Sequence, residues 1–146
     1  MNAPLHVEIR GTGPDLVLLH GWALHGGMWG PWLDELARRA RLHLIDLPGH
    51  GRSPWPAGAS TLRDLARAVS PHVPNGAAVL GWSLGGMVAL ELARSRPGDL
   101  AALVLIATTP CFLARDDWPA GMNPGVLYAF AAGLAGDYRR TLTNFL

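Results

Sequence analysis

Four short apolar runs constrain this chain more than any other feature: Leu16 to Leu19, Leu42 to Ile45, Ala77 to Leu80 and Leu100 to Ile106. Apart from His43 they carry no polar residue, so each has the pattern of a strand covered on both faces, as in a parallel sheet. Parallel neighbours need a crossover long enough for a helix, and the segments between the runs repeat apolar residues at helical spacing. Trp29, Leu33, Leu36 and Ala37 form one such stripe, ending near Arg39. Leu62, Leu65, Ala66 and Val69 form another, with Ser60 placed to cap it, and Leu84 to Arg94 carries Met87, Val88, Leu90 and Leu92. Ahead of these, Leu5 to Ile9 alternates and reads as an edge strand before the break at Gly11-Thr12-Gly13-Pro14. The rhythm predicts an α/β fold with a mostly parallel central sheet, flanking helices and right-handed crossovers.

Composition agrees with a buried sheet and removes several functions. The 146 residues suit one core, with 49% in the apolar set and only 16% charged. Twelve basic residues against eleven acidic ones leave a formal charge of +1, which gives no electrostatic footprint for nucleic acid or for a polybasic membrane anchor. No apolar stretch reaches the roughly 18 residues of a membrane span, and the first ten residues lack the pattern of an export signal. Cys111 is the single cysteine and forms no internal disulfide, so a reducing compartment, the cytoplasm, is expected.

The chemistry is concentrated in Gly81-Trp82-Ser83-Leu84-Gly85, a G-x-S-x-G pattern where a predicted strand gives way to a predicted helix. So sharp a turn strains the serine backbone and leaves no room for side chains two residues on either side. Ser83 is therefore the expected nucleophile, presented at the N-terminus of a helix whose free amides favour developing negative charge. An isolated match would read as a flexible turn; the flanking strand and helix select the catalytic reading. His20-Gly21-Trp22, at the end of the Leu16 to Leu19 run, is the second motif. The backbone amides of Trp22 and Leu84 are the expected oxyanion donors, each worth on the order of 3 kcal/mol in a transition state. Their side chains, with that of Trp82, are expected to border the acyl group.

These motifs, together with Asp46-Leu47-Pro48-Gly49-His50-Gly51-Arg52-Ser53, resemble the α/β-hydrolase superfamily in order and spacing from Val17 to about Ala107. More narrowly, Leu18 to Trp22, Gly81 to Gly86 and Pro110 to Pro119 resemble the esterases of biotin synthesis in that superfamily. The resemblance implies cleavage of a methyl ester from pimeloyl chains on acyl carrier protein, with no cofactor and no metal. It also implies a core over 1–109 and the start of a helical cap over 110–146. Within that cap it makes Arg115, Arg139 and Arg140 candidates for contact with the acidic carrier, and it places Phe145 along the acyl channel. A solvated helix face is the plain alternative for the arginines, and ordinary core for Phe145.

A serine needs a base, and in this superfamily the acid and then the histidine follow it along the chain. All six histidines, His6, His20, His25, His43, His50 and His72, precede Ser83. His50 lies in a loop at the end of a strand, but the family does not use that position as base. Asp116, Asp117 and Asp137 read as solvated or capping residues. The expectation is thus a truncated hydrolase with its triad acid and base beyond Leu146, feeble activity, and an exposed apolar sheet edge prone to aggregation. Two other readings stay open: a different esterase or lactonase acting on small molecules, and a hydrolase fold that binds without chemistry.

Overall fold

The computed structural model describes residues 4–145. Five strands form one sheet: β1 (Val7–Arg10), β2 (Asp15–Leu19), β3 (Arg41–Ile45), β4 (Ala78–Trp82) and β5 (Ala102–Ile106). Their order is β1-β3-β2-β4-β5, with β1 antiparallel to β3 and every other pair parallel. The α/β architecture predicted from the apolar runs is the one that forms. β3 lies on one side of β2 and β4 on the other, so the chain reverses direction across the sheet at β2. In sheets of this kind such a reversal marks the place, beyond the carboxyl ends of the strands, where ligands bind.

Register brings those ends level. Leu19 stands opposite both Ile45 and Gly81, so the segments after β2, β3 and β4 leave the sheet side by side. Successive side chains of β2 point to opposite faces, and both faces are covered. Val17 and Leu19 pack with Ile45, Val69, Val79, Val88 and Leu92, beneath α2 (Leu62–Val69) and α3 (Leu84–Ser95). Leu18 packs with Leu33, Leu42 and Leu44, beneath α1 (Trp32–Ala37).

Local chemistry moved several predicted boundaries. The stripe from Trp29 is not one helix: a single 3-10 turn ends at Trp29, and α1 begins only at Trp32. Gly30, at φ 53°, and Pro31 separate them, because a residue before proline is steered away from helical geometry. Thr61, not Ser60, caps α2. Its hydroxyl accepts the Asp64 amide, while the Asp64 carboxylate accepts the Thr61 amide, closing a capping box. The predicted strand from Ala77 to Leu80 runs on to Trp82, and the last strand starts at Ala102 rather than Leu100.

The chain divides into two compact units, the first ending at Thr108 and the second beginning at Thr109. In the second unit the stretch before the helices is tied by the Ala114 amide to the Met122 carbonyl at 2.8 Å and by the Met122 amide to the Phe112 carbonyl at 2.6 Å. It continues into α4 (Pro124–Gly136), capped by Asn123 and opened by a proline at its first position, and α5 (Tyr138–Phe145). No helix among the described residues is long and apolar enough to cross a membrane.

Candidate active site

Ser83 is the single residue between β4 and α3, with φ 54° and ψ −116°. A left-handed conformation in a residue with a side chain costs on the order of 1–3 kcal/mol and persists only where the surroundings enforce it. Here they do: its amide donates to the Ile106 carbonyl at 2.9 Å, and its carbonyl accepts the amides of Gly86 and Met87 at 2.9 and 3.2 Å. Serine at a helix start ordinarily turns its hydroxyl back to cap the first turn. Ser83 makes no such bond.

The two glycines of the motif serve two different close approaches. A Cβ on Gly81 would lie 2.5 Å from the Gly85 carbonyl oxygen, so Gly81 lets strand and helix cross at the turn. A Cβ on Gly85 would lie 2.1 Å from the Leu19 carbonyl oxygen and 2.6 Å from that of His20. Gly85 thus seats the first turn of α3 on the end of β2, where His20-Gly21-Trp22 begins. That contact assembles the site. A Cβ on Gly21 would lie 2.8 Å from Cε3 of the Trp82 ring and 3.4 Å from Ser83 Cβ. The structure therefore brings Gly21, Trp82 and Ser83 together, with Trp22 and Leu84 one residue further along their respective segments, both half-buried.

His20 carries more than the packing role that its place at a strand end suggests. It is fully buried, its Nδ1 lies 2.7 Å from the Gly21 carbonyl oxygen, and its Nε2 lies 2.8 Å from the Leu47 amide. An amide can only donate and a carbonyl can only accept, so the ring is neutral with its proton on Nδ1. Burial lowers its pKa to about 4, with the His50 and His25 charges acting in the same direction and the Gly21 bond opposing. Asp46 does the matching work after β3. Burial raises its pKa, but the amides of Arg52 and Gly26, at 2.9 and 2.7 Å from the carboxylate, overcome that and hold it below the usual range. Asp46 thereby clasps the loop after β2 to the loop after β3. Both residues directly follow apolar strand runs, and a polar residue at that position is the one signal in the sequence that marks them.

His50 directs Nδ1 to the Pro48 carbonyl at 2.9 Å, and its ring centroid is 5.4 Å from that of His20. In the second unit, Arg115 pairs with Asp117 at 3.1 Å, the Asp137 carboxylate accepts the Arg140 amide at 3.0 Å, and Phe145 packs on Phe130 with centroids 5.1 Å apart. Arg115, Arg139, Arg140 and Asp116 are exposed. Among the described residues no group of three or more His, Cys, Asp or Glu side chains could hold a metal ion.

Residues 14–141 match the family described as alpha/beta hydrolase fold. The chain belongs to that family. Among curated relatives, a pimeloyl-acyl-carrier-protein methyl ester esterase from Nitrosomonas europaea is 46% identical over 144 residues, covering 99% of this chain and 57% of the relative. The esterase of the same name from Aeromonas salmonicida is 49% identical over 141 residues, covering 96% of this chain and 55% of the relative. The chain thus spans about half the length of the curated relatives it matches. Among solved structures, an esterase from Exiguobacterium antarcticum superposes with a TM-score of 0.88 at 26% identity, over 97% of this chain and 55% of that one.

Proposed function

We propose that this α/β-hydrolase chain carries the nucleophile and oxyanion hole of a cytoplasmic serine carboxylesterase, and that its substrate is the methyl ester of a pimeloyl group borne on acyl carrier protein. The observation that carries the chemistry is Ser83, a non-glycine residue in left-handed geometry at the start of α3, with Gly21 against its Cβ. The names of the relatives from Nitrosomonas and Aeromonas support the substrate.

In this reading Ser83 Oγ attacks the ester carbonyl carbon and yields its proton to a base. The carbonyl oxygen becomes an oxyanion facing the amides of Trp22 and Leu84. Collapse expels methoxide, which leaves as methanol after taking up a proton, and water then hydrolyses the acyl-serine to a free carboxylate and restores the hydroxyl. The residues of this chain supply nucleophile and donors; the reading assigns the base and its carboxylate partner to none of them. The ring of His20 is committed to two backbone groups, and no histidine follows His72. Trp22, Trp82 and Leu84 border the acyl group, and Phe145 meets its chain. Arg115, Arg139 and Arg140 contact the acidic carrier, and the core extends to residue 109 with the cap beginning at 110.

The test is turnover by the protein carrying this sequence, with methyl pimeloyl-carrier protein compared against a short p-nitrophenyl ester. Preference for the carrier-bound ester, abolished by Ser83→Ala, is the expected result. Equal turnover of free small esters would replace the substrate while keeping the serine; activity surviving Ser83→Ala would remove the mechanism. Reversal of the arginine charges, Arg139→Glu with Arg140→Glu, should raise KM for the carrier-bound ester alone.

A further inference from the structure

The two amides proposed as oxyanion donors share a feature that reaches beyond their position. A peptide group is planar, so the carbonyl of one residue and the amide of the next form one rigid unit pointing in opposite directions. The amide of Leu84 is therefore aimed by whatever holds the carbonyl of Ser83, and the amide of Trp22 by whatever holds the carbonyl of Gly21. In both cases a side chain donates to that carbonyl. The Thr108 hydroxyl lies 2.7 Å from the Ser83 carbonyl oxygen, and His20 Nδ1 lies 2.7 Å from the Gly21 carbonyl oxygen. Each is the shortest hydrogen bond its carbonyl accepts: the amides of Gly86 and Met87 reach Ser83 at 2.9 and 3.2 Å, and that of Leu24 reaches Gly21 at 3.3 Å.

We propose that Thr108 and His20 are positioning residues for the oxyanion hole, each fixing and polarising one donor peptide from behind by a hydrogen bond to its carbonyl. This inference rests on the reading of Ser83 as nucleophile. A hydrogen bond on a carbonyl makes the amide of the same peptide a better donor, and the effect is largest where the surroundings are dry. Preorganised donors stabilise developing charge because nothing has to reorient during the reaction.

The setting of Thr108 is built for that bond. Trp82 and Ile106 are the last paired residues of β4 and β5, and directly beyond them Ser83 and Ala107 both turn left-handed, at φ 54° and 46°. The Ser83 amide still donates to Ile106, and Thr108, one residue past the turn, reaches the Ser83 carbonyl from the same segment. Both sides of the strained residue are thus tied to one short segment, the amide to Ile106 and the carbonyl to Thr108. Gly86 leaves the space: a Cβ there would lie 2.5 Å from Thr108 Cγ2 and 2.7 Å from its Oγ1. The second glycine of the Gly85-Gly86 pair, which the five-residue motif leaves unexplained, admits the threonine.

Thr108→Val removes the hydroxyl at nearly constant shape, and Thr108→Ser keeps it. On this chain, the amide nitrogen and proton resonances of Leu84 should shift in Thr108→Val and return in Thr108→Ser, with those of Trp22 unmoved; this readout needs no turnover. In p-nitrophenyl acetate hydrolysis by the protein carrying this sequence, Thr108→Val should lower kcat about tenfold with KM within about twofold, and Thr108→Ser should stay within about threefold of the parent, since oxyanion bonds act in the transition state and not on substrate binding. His20→Asn, whose amide nitrogen can replace Nδ1 as donor to Gly21, should keep more activity than His20→Leu. An unmoved Leu84 resonance, an unchanged kcat in Thr108→Val, or equal losses in the valine and serine variants overturn the inference. If Ser83→Ala abolishes turnover while Thr108→Val does not lower kcat, the inference alone fails; if Ser83→Ala leaves turnover intact, the nucleophile reading fails with it.

Discussion

β2 and β5 are written in nearly the same letters and live in opposite surroundings. Leu16-Val17-Leu18-Leu19 places Val17, Leu18 and Leu19 at 0% exposure, whereas Val104, Leu105 and Ile106 of β5 are 45%, 42% and 38% exposed. The difference is lateral. β2 has β3 and β4 as neighbours and helices over both faces, while β5 pairs with β4 alone among the described residues. An apolar run specifies a strand; its place in the sheet decides how much of it water reaches. The candidate site sits at the end of the buried strand, where a buried histidine is held in one tautomer and glycines bring backbones into contact.

The contrast can be broken directly. Leu19→Ala removes a fully buried side chain from the centre of the larger core cluster and should cost about 3–4 kcal/mol, read as a lower urea midpoint at unchanged slope. A loss below about 1 kcal/mol would mean the region beneath β2 repacks freely.

One residue further on, His20 makes the same burial readable by pH. The folded protein keeps the ring neutral down to about 4, whereas the unfolded chain protonates it near its ordinary 6.5. Between these values the unfolded state binds the extra proton, so this contribution is fully present above 6.5 and falls as pH falls, by roughly 3 kcal/mol at pH 4. His20→Gln should flatten that part of the stability profile; an unchanged slope would show the ring titrating normally.

Arg96 sharpens the comparison on the β5 side. Its guanidinium donates to the Ser70 and Val73 carbonyls at 3.2 and 3.0 Å and pairs with Asp99 at 3.2 Å, stapling the end of α2 to the turn that leads into β5. Arg96→Ala should cost about 2 kcal/mol, and Arg96→Lys should recover little of it, because one ammonium cannot reproduce the planar fork. The smallest effect is expected on β5 itself. Leu105→Ala should change stability by no more than about 0.5 kcal/mol, the range of an ordinary surface substitution, and a loss comparable to Leu19→Ala would erase the contrast.

The parts of the molecule legible from the sequence are those set within a few residues. The four apolar runs became strands, and Gly81 to Gly85 marked the turn where Ser83 is strained, because alternation, helical spacing and the glycine requirement all act locally. The stripe from Trp29 overruns the break that Gly30-Pro31 impose, and the cap falls at Thr61, one residue past Ser60, because Thr61 closes a box with Asp64. The roles of His20, Asp46 and Thr108 could not be read in this way. His20 bonds Leu47 across 27 positions, Asp46 bonds Gly26 across 20, and Thr108 bonds Ser83 across 25.

By itself, then, the sequence determined which segments are strands and helices, that the sheet is mostly parallel, and which hydroxyl is strained into prominence. Periodicity, turn chemistry and steric limits need only neighbouring residues. Tertiary structure alone decided which strand ends stand level, which of two similar apolar runs is shielded from water, and which donors occupy the carbonyls behind the Trp22 and Leu84 amides. Those outcomes depend on lateral strand order and on hydrogen bonds between distant segments, and they exist only once the sheet has closed around β2.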